Sequence, residues 1–312
     1  MKVLVVAKKT NLEVHGEIIK KRVKAGLVDS TYFHLLEKTH EEHYQTLESL
    51  KALLSQFQIE YTNISRGLFW PDFNGIAAVI TVGGDGTILE ASHHIVDKPI
   101  PLIGIRSAES SIGKLCSCRY QGMENLVRSL AEQTLETVLV GRLKAEVSSA
   151  ATGTSVLTEP VLNDFLFTNI SPAATTRYKL LIGKKKAEQR SSGLWISTPS
   201  GSTAAIHAAG GSIMDLKDRN FQFKVRELYD SFPQNSNGPV SNGLFNPDLE
   251  GFKIVNFSEK AKLYEDGLHG TVTLEFGDSI RFLRAPDLRL AVPEYYKTNP
   301  VITTPKAAER GG

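Results

Sequence analysis

The chain has 312 residues, of which 41% are hydrophobic, 22% are charged and 25 are Gly. That composition excludes a disordered, collagen-like or coiled-coil chain, and the length accommodates two domains or one large α/β unit. Lys and Arg number 36 against 34 Asp and Glu, and the resulting net charge of +2 argues against a broad electrostatic surface for nucleic acid or an anionic membrane.

The opening run Lys2–Ala7 reads as a buried strand. It is too short for the apolar region of a signal peptide, and no stretch of the sequence is long and apolar enough for a transmembrane helix. Residues 13–24 and 41–57 have helical period, with a short strand at 58–62. The β-branched run 77–82 ends abruptly in Gly83-Gly84; a helix at 88–96 and a strand at 101–105 follow. Strand, helix and strand in this order imply right-handed crossovers and an open parallel α/β sheet.

From about residue 135 the texture changes to short strand-like runs, at 137–147, 160–168, 177–182, 194–198, 252–255, 263–264, 271–276 and 279–283. A single helix, at 202–209, interrupts them. The expected architecture is an α/β domain over 1–135 and a mostly-β domain over 136–289, with a tail, 290–312, that can pack back on the first. Residues 232–247, rich in Asn, Gly, Pro and Ser, read as a long loop. Cys116 and Cys118, in a lone C-x-C, are a poor zinc signal and read as ordinary thiols of a reducing compartment. A cytoplasmic protein is the expectation.

Three constellations carry chemical signal. The first is Thr81-Val82-Gly83-Gly84-Asp85-Gly86-Thr87, directly after the β-branched strand. Glycine lets a ligand approach the backbone, and the helix that follows offers free N–H groups and a positive dipole end. Asp85 stands out, because a carboxylate beside a phosphate is repelled unless it takes a proton or meets a metal. It is a candidate general base for a hydroxyl nucleophile or a magnesium ligand; a plain helix-capping turn is the bland reading. The loop is not a P-loop, which needs a Gly-Lys-Ser/Thr ending, and it does not continue as G-x-G-x-x-G.

The second runs from Ser197 through Thr198-Pro199-Ser200-Gly201-Ser202-Thr203-Ala204-Ala205 to Gly210-Gly211. Pro199 keeps Thr198 extended, Ser200 or Ser202 suits an N-cap, and Gly210 suits a stop. Hydroxyls and amides at such a helix start suit a phosphate, a ribose or a flat base; a small-residue helix packed against a neighbour is the bland reading. The third is Asn163-Asp164, two polar residues inside an apolar strand. They combine donors and acceptors suited to base edges and ribose hydroxyls, or they form a strand-end turn.

In their order and spacing, Gly83-Gly84-Asp85-Gly86-Thr87, Leu162-Asn163-Asp164 and Ser197–Ala204 resemble the motif set of the NAD kinase family. The stretches 79–92, 173–178, 190–211 and 221–227 are similar to its plant NADH kinase branch. The resemblance implies a phosphofructokinase-like α/β domain followed by a β-rich dinucleotide-binding domain. It implies phosphoryl transfer from ATP, or another donor, to the 2′-hydroxyl of the adenosine ribose of NAD(H). Asp85 would then be the general base, with phosphates against the backbone of Gly83, Gly84, Gly86 and Thr87. Asn163 and Asp164 would hold the dinucleotide; Thr198, Ser200, Ser202, Thr203 and Ala204 would line the adenine pocket. Asp266, in Glu265-Asp266-Gly267, would approach the phosphorylated ribose. Magnesium would be held mainly by the ATP phosphates, with no protein metal site. A homodimer or homotetramer is implied, with neither nucleic acid nor membrane as partner.

Lys8, Lys9, Arg106 and Lys114 are either phosphate-reaching cations or solvated ones, and His207 is equally open; His93 and His94 read as structural or solvated, and Phe69-Trp70 as a packing anchor. The chain departs from the family at Cys116-Ser117, where an aromatic is common, and at Ser192-Gly193, where Asp-Gly is usual. Ala205 replaces a tyrosine, and 232–247 replaces a Pro-His-Ser-Leu segment. These changes bear on the base pocket. The alternative readings are a lipid kinase of the diacylglycerol or sphingosine type, which shares the first motif, and a non-catalytic NAD(P)-binding regulator.

Overall fold

A computed structural model describes residues 1–67, 70–229 and 239–299. The N-terminal part contains β1 (Lys2–Ala7), α1 (Asn11–Lys24), α2 (Ser30–Gln56), β2 (Glu60–Ser65), β3 (Ile76–Gly83) and α3 (Asp85–His94). It continues with β4 (Leu102–Arg106), the two-residue β5 (Cys118–Arg119) and α4 (Met123–Ala131). The rest is almost all strand: β6 (Thr137–Ser148), β7 (Ser155–Leu157), β8 (Asp164–Asn169), β9 (Thr176–Ile182), β10 (Lys185–Ser191) and β11 (Gly193–Ser197). After the one-turn α5 (Ala205–Ala208) come β12 (Phe221–Arg226), β13 (Asn242–Phe245), β14 (Phe252–Asn256), β15 (Lys260–Glu265), β16 (Gly270–Glu275), β17 (Ser279–Ala291) and α6 (Glu294–Thr298).

Strands β2, β1, β3 and β4 pair in parallel. Val3 to Val6 are wholly buried because helices cover both faces, which is why the run is apolar without alternation. Val3 and Val5 pack with Leu47, Leu50 and Leu54 of α2 and Val127 of α4. Leu4 and Val6 face the other way, toward Ile88 and Ala91 of α3. The C-terminal part adds an antiparallel sheet in the order β13-β12-β11-β8-β15-β16. It packs Phe165, Phe167, Ile196 and Phe223 against Tyr178, Ile254 and Phe282 of the first sheet, as two sheets sharing an apolar interior.

Backbone pairing does not break near residue 135. Strand β17 pairs with β14 and β6, then meets β4 in parallel at Leu290 and Leu102, so one sheet runs through both parts. Chain 292–299 lies against the α/β part, where Val292 N–H donates to the Glu136 carbonyl and Glu294 N–H to that of Cys116.

Several elements differ from the sequence expectation. Helix α2 starts at Ser30, capped by Asp29, well before residue 41; up to His43 it buries only Leu36, so its first turns carry little apolar period. Helix α4 has Met123, Val127 and Leu130 buried at helical spacing and was not expected. Strand β10 (KKAEQRS) also escapes, because its inward positions include the polar Gln189 and Ser191. Within the expected loop 232–247, residues 242–245 are β13, and residues up to 238 lie outside those described. The helix expected at 202–209 reduces to a 3₁₀ turn over Ser200–Thr203 followed by the four-residue α5, neither with a side-chain cap. Phe69 and the C-terminal tail from residue 300 also lie outside the described residues. Trp70 stacks on His94 with ring centres 4.1 Å apart, a packing role.

One buried cation holds α3 to the β-rich part. Arg142 of β6 is fully buried and donates to four carbonyls: Ser92 (2.9 Å), Ile95 (3.0 Å), Val96 (2.8 Å) and Pro286 (2.9 Å). Three of these belong to the end of α3 or just beyond, where carbonyls lack intrahelical partners. Burial lowers its pKa to about 10, so it stays charged at neutral pH. Arg142→Met keeps much of the volume and strands those acceptors. It is expected to lower stability by about 3 kcal/mol, read as a lower denaturant midpoint at unchanged slope.

Candidate active site at the Gly83–Thr87 turn

Strand β3 ends at Gly83, opposite Arg106 of β4, and α3 begins at Asp85. The turn is tight for a local reason. A Cβ on Gly83 would stand 2.2 Å from Thr87 Oγ1, and one on Gly84 would stand 2.5 Å from the Ile112 carbonyl oxygen. The 110–115 loop can therefore press on the turn. Asp85 N–H donates to Ile112 O at 3.0 Å, and the Asp85 carboxylate accepts from Lys114 N–H (3.0 Å) and Leu115 N–H (2.9 Å). Its pKa is nevertheless raised, because burial outweighs those two bonds and the nearby charges of Lys114 and Arg106. The result is a fixed carboxylate with increased proton affinity.

A cleft of about 410 Å³ opens beside it, lined by Lys8, Asn11, Arg66, the Gly84–Thr87 backbone and Ser110–Ile112, with Asp85 as its acidic residue. Lys8 Nζ donates to Ser111 Oγ at 3.1 Å, and its pKa is lowered by burial and then by the Arg66 charge. Arg66 pairs with Glu90. Of the cations left open by the sequence, Lys8 lines this cleft, while Arg106 and Lys114 line a neighbouring one of about 530 Å³ across the loop.

Asn163 and Asp164 are held by Asp266. The Asp266 carboxylate accepts three successive backbone N–H bonds, from Leu162 (2.9 Å), Asn163 (2.8 Å) and Asp164 (3.0 Å). Its backbone sits at φ +42° in the turn after β15. The Asp266 side chain is fully buried, so its oxygens serve this backbone clamp. His93 Nε2, in the last turn of α3, lies 3.0 Å from Asp266 Oδ2, and the His93 ring stacks on His269 at 3.5 Å. Thus α3 carries Asp85 at its start and reaches the Asn163 segment, through Asp266, at its end. Asn163 Oδ1 is buried without a hydrogen-bond partner among the described residues. Asp164 is pushed up to about 8 by burial and by the Asp266 charge.

The small-residue run braces the same segment. Thr198 Oγ1 donates to Leu162 O, Ser200 Oγ to the same carbonyl at 2.6 Å, and Ser202 Oγ to Pro199 O at 2.6 Å. A Cβ at Gly201 would stand 2.1 Å from Asn163 O. The hydroxyls of Thr198, Ser200 and Ser202 are therefore spent within the protein, while Thr203 and Ala204 are half-exposed. His207 is exposed. Sequence reading missed Tyr296, whose hydroxyl faces Ser202 and Thr203 and is raised to about 12 by burial. It also missed Arg142, although the alternation Val138, Val140, Arg142 along β6 marks the residue as inward-facing.

Residues 3–112 match the ATP-NAD kinase N-terminal domain. The chain is 33% identical over 272 residues to NADH kinase of Arabidopsis thaliana, covering 78% of this chain and 81% of that protein. It belongs to the NAD kinase family. A probable NADH kinase of Oryza sativa subsp. japonica is 27% identical over 275 residues, covering 81% and 82% of the two chains. Among solved structures, yeast NADH kinase complexed with NADH is similar with a TM-score of 0.68 at 15% identity, covering 99% of this chain and 90% of that one. An NAD kinase from Archaeoglobus fulgidus in complex with ATP gives 0.64 at 16% identity, covering 94% of each chain. These two likenesses establish the fold: an α/β part with a parallel sheet, then a largely antiparallel one.

The Asp164 shift has a definite sign. An unfolded aspartate releases its proton near pH 4, whereas the folded one keeps it to about 8. The contribution is full below the unfolded pKa and is lost as pH rises through the folded one. Between pH 5 and 8.5 the native chain should lose stability more steeply than Asp164→Asn, as read from denaturant midpoints. Parallel curves would mean that Asp164 is ionised in the fold.

Proposed function

We propose that this chain is an NAD(H) kinase that moves a phosphoryl group from ATP to the adenosine-ribose 2′-hydroxyl of NADH or NAD, with Asp85 as general base. One observation carries the proposal. A partly buried carboxylate of raised proton affinity stands at the N-terminus of α3, fixed by two loop amides, on a cleft with Lys8 and Arg66. The family to which the chain belongs supports the same reading.

A ribose hydroxyl holds its proton tightly, so transfer needs a base placed to receive it as the new P–O bond forms. Each Asp85 oxygen accepts one backbone bond and keeps a lone pair for this. Lys8, Arg66 and the positive dipole end of α3 suit the donor phosphates. Asn163, with its buried unpartnered oxygen, suits a donor group of the dinucleotide. Thr203 and Ala204 suit the adenine edge, while Thr198, Ser200, Ser202 and Asp266 support them from behind. Among the described residues no three His, Cys, Asp or Glu side chains form a cage. With Asp85 as the acidic residue of the cleft that holds Lys8 and Arg66, magnesium would enter on the ATP phosphates, whose charge it would neutralise. No helix of the described residues is long and apolar enough to cross a membrane. A cytoplasmic dimer or tetramer completes the reading, and light scattering of the purified protein tests the assembly.

The lipid-kinase alternative finds no support among the relatives, and the held Asp85 carboxylate argues against a regulator without activity. Purified protein given ATP, magnesium and NADH or NAD should form NADPH or NADP. Dinucleotide binding without product from either acceptor would overturn the reading. Asp85→Asn should lower turnover at least about a hundredfold while dinucleotide binding survives. Asn163→Ala should weaken dinucleotide binding more than ATP binding, measured by calorimetry; equal losses would refute its assignment.

A further inference from the structure

The loop that holds Asp85 has a second face, and α6 covers it. Lys114 and Leu115 donate their N–H groups to the two Asp85 oxygens. On the opposite side, the Lys114 ammonium lies 3.8 Å from the centre of the Tyr295 ring, well within cation–π range. Next to it, Glu294 N–H donates to the Cys116 carbonyl at 3.0 Å. Residues 114–116 are thus bonded to the carboxylate on one side and to α6 on the other. Five residues cannot sustain a helix by propensity alone; α6 is anchored by β17 before it and by the Val292–Glu136 bond.

We propose that Tyr295 is a positioning residue for phosphoryl transfer: its ring fixes Lys114, so that the Lys114 and Leu115 amides keep the Asp85 carboxylate aligned. The proposal rests on the reading of Asp85 as general base. Tyr295 acts through the loop and contributes no group to the reaction.

The consequence is visible in pH. Lys114 and Arg106 favour the charged form of Asp85, Cys116 and Tyr296 are groups whose own ionisation it disfavours, and Lys8 and Arg66 share its cleft. Burial opposes the charged form, and the two amide bonds counter it. If the loop loosens, those bonds are lost and burial prevails, so the acid limb of the kcat profile moves to higher pH. A residue that merely supports the fold would lower the melting temperature and leave that limb in place.

The test compares Tyr295→Ala, Tyr295→Leu and Tyr295→Phe with the native chain and with Asp85→Asn. The Ala and Leu variants should lose about tenfold or more in kcat, keep KM for ATP within about twofold and show the shifted limb. The Phe variant keeps the ring and should restore rate and profile. Leu preserves apolar bulk, so it reports even if the Ala variant does not fold. A native kcat and acid limb in Tyr295→Leu, with Asp85→Asn inactive, would overturn the proposal and leave the general base standing. Full activity in Asp85→Asn would instead remove the reading beneath it.

Discussion

Helix α3 is fixed at both ends, and the site depends on that. At its start, Asp85 is held by the 112–115 backbone. At its end, the Arg142 guanidinium gathers the carbonyls of Ser92, Ile95 and Val96. A charge buried this deeply is tolerated because each guanidinium nitrogen meets an acceptor. Since Arg142 belongs to β6, the interaction also ties the α/β part to the β-rich part. The His93–Asp266 contact adds a second tie, reaching the backbone that carries Asn163.

The geometry makes sense of the near-neutral charge. In the proposed function, anion handling would rest on Lys8, Arg66 and a helix start in one cleft, with no basic surface required. The same economy applies to the small-residue run. Its hydroxyls satisfy buried carbonyls at 162 and 163 and hold that strand end in one conformation. Gly201 permits a backbone approach that a side chain would block.

Much of this was legible from residue pattern. The apolar runs of β1 and β3 announced a parallel sheet covered on both faces, and the glycines after β3 located the turn with Asp85. Asn163-Asp164 was read as a polar interruption of an apolar strand, whereas Asp164 opens β8 and Asn163 lies in the bend before it. What escaped has physical causes. Strand β10 has polar inward positions, so periodicity failed. The 202–209 segment was read as a helix with Ser200 or Ser202 as its cap, yet the Ser200 hydroxyl bonds to the Leu162 carbonyl, and Ser200–Thr203 forms a 3₁₀ turn.

The sequence by itself determined the strands β1, β3 and β4, the turn that carries Asp85 and the family resemblance, because strand burial and glycine-dependent turns are local properties. Only the tertiary structure decided which polar groups are bonded within the protein. Asp266 and Ser200 read from sequence as ligand contacts, but they bond backbone brought near from more than thirty residues away. It also decided that Tyr295 stands on Lys114, a contact that exists because β17 carries the chain back across the α/β part. Such pairings depend on strand order, and no local pattern encodes that.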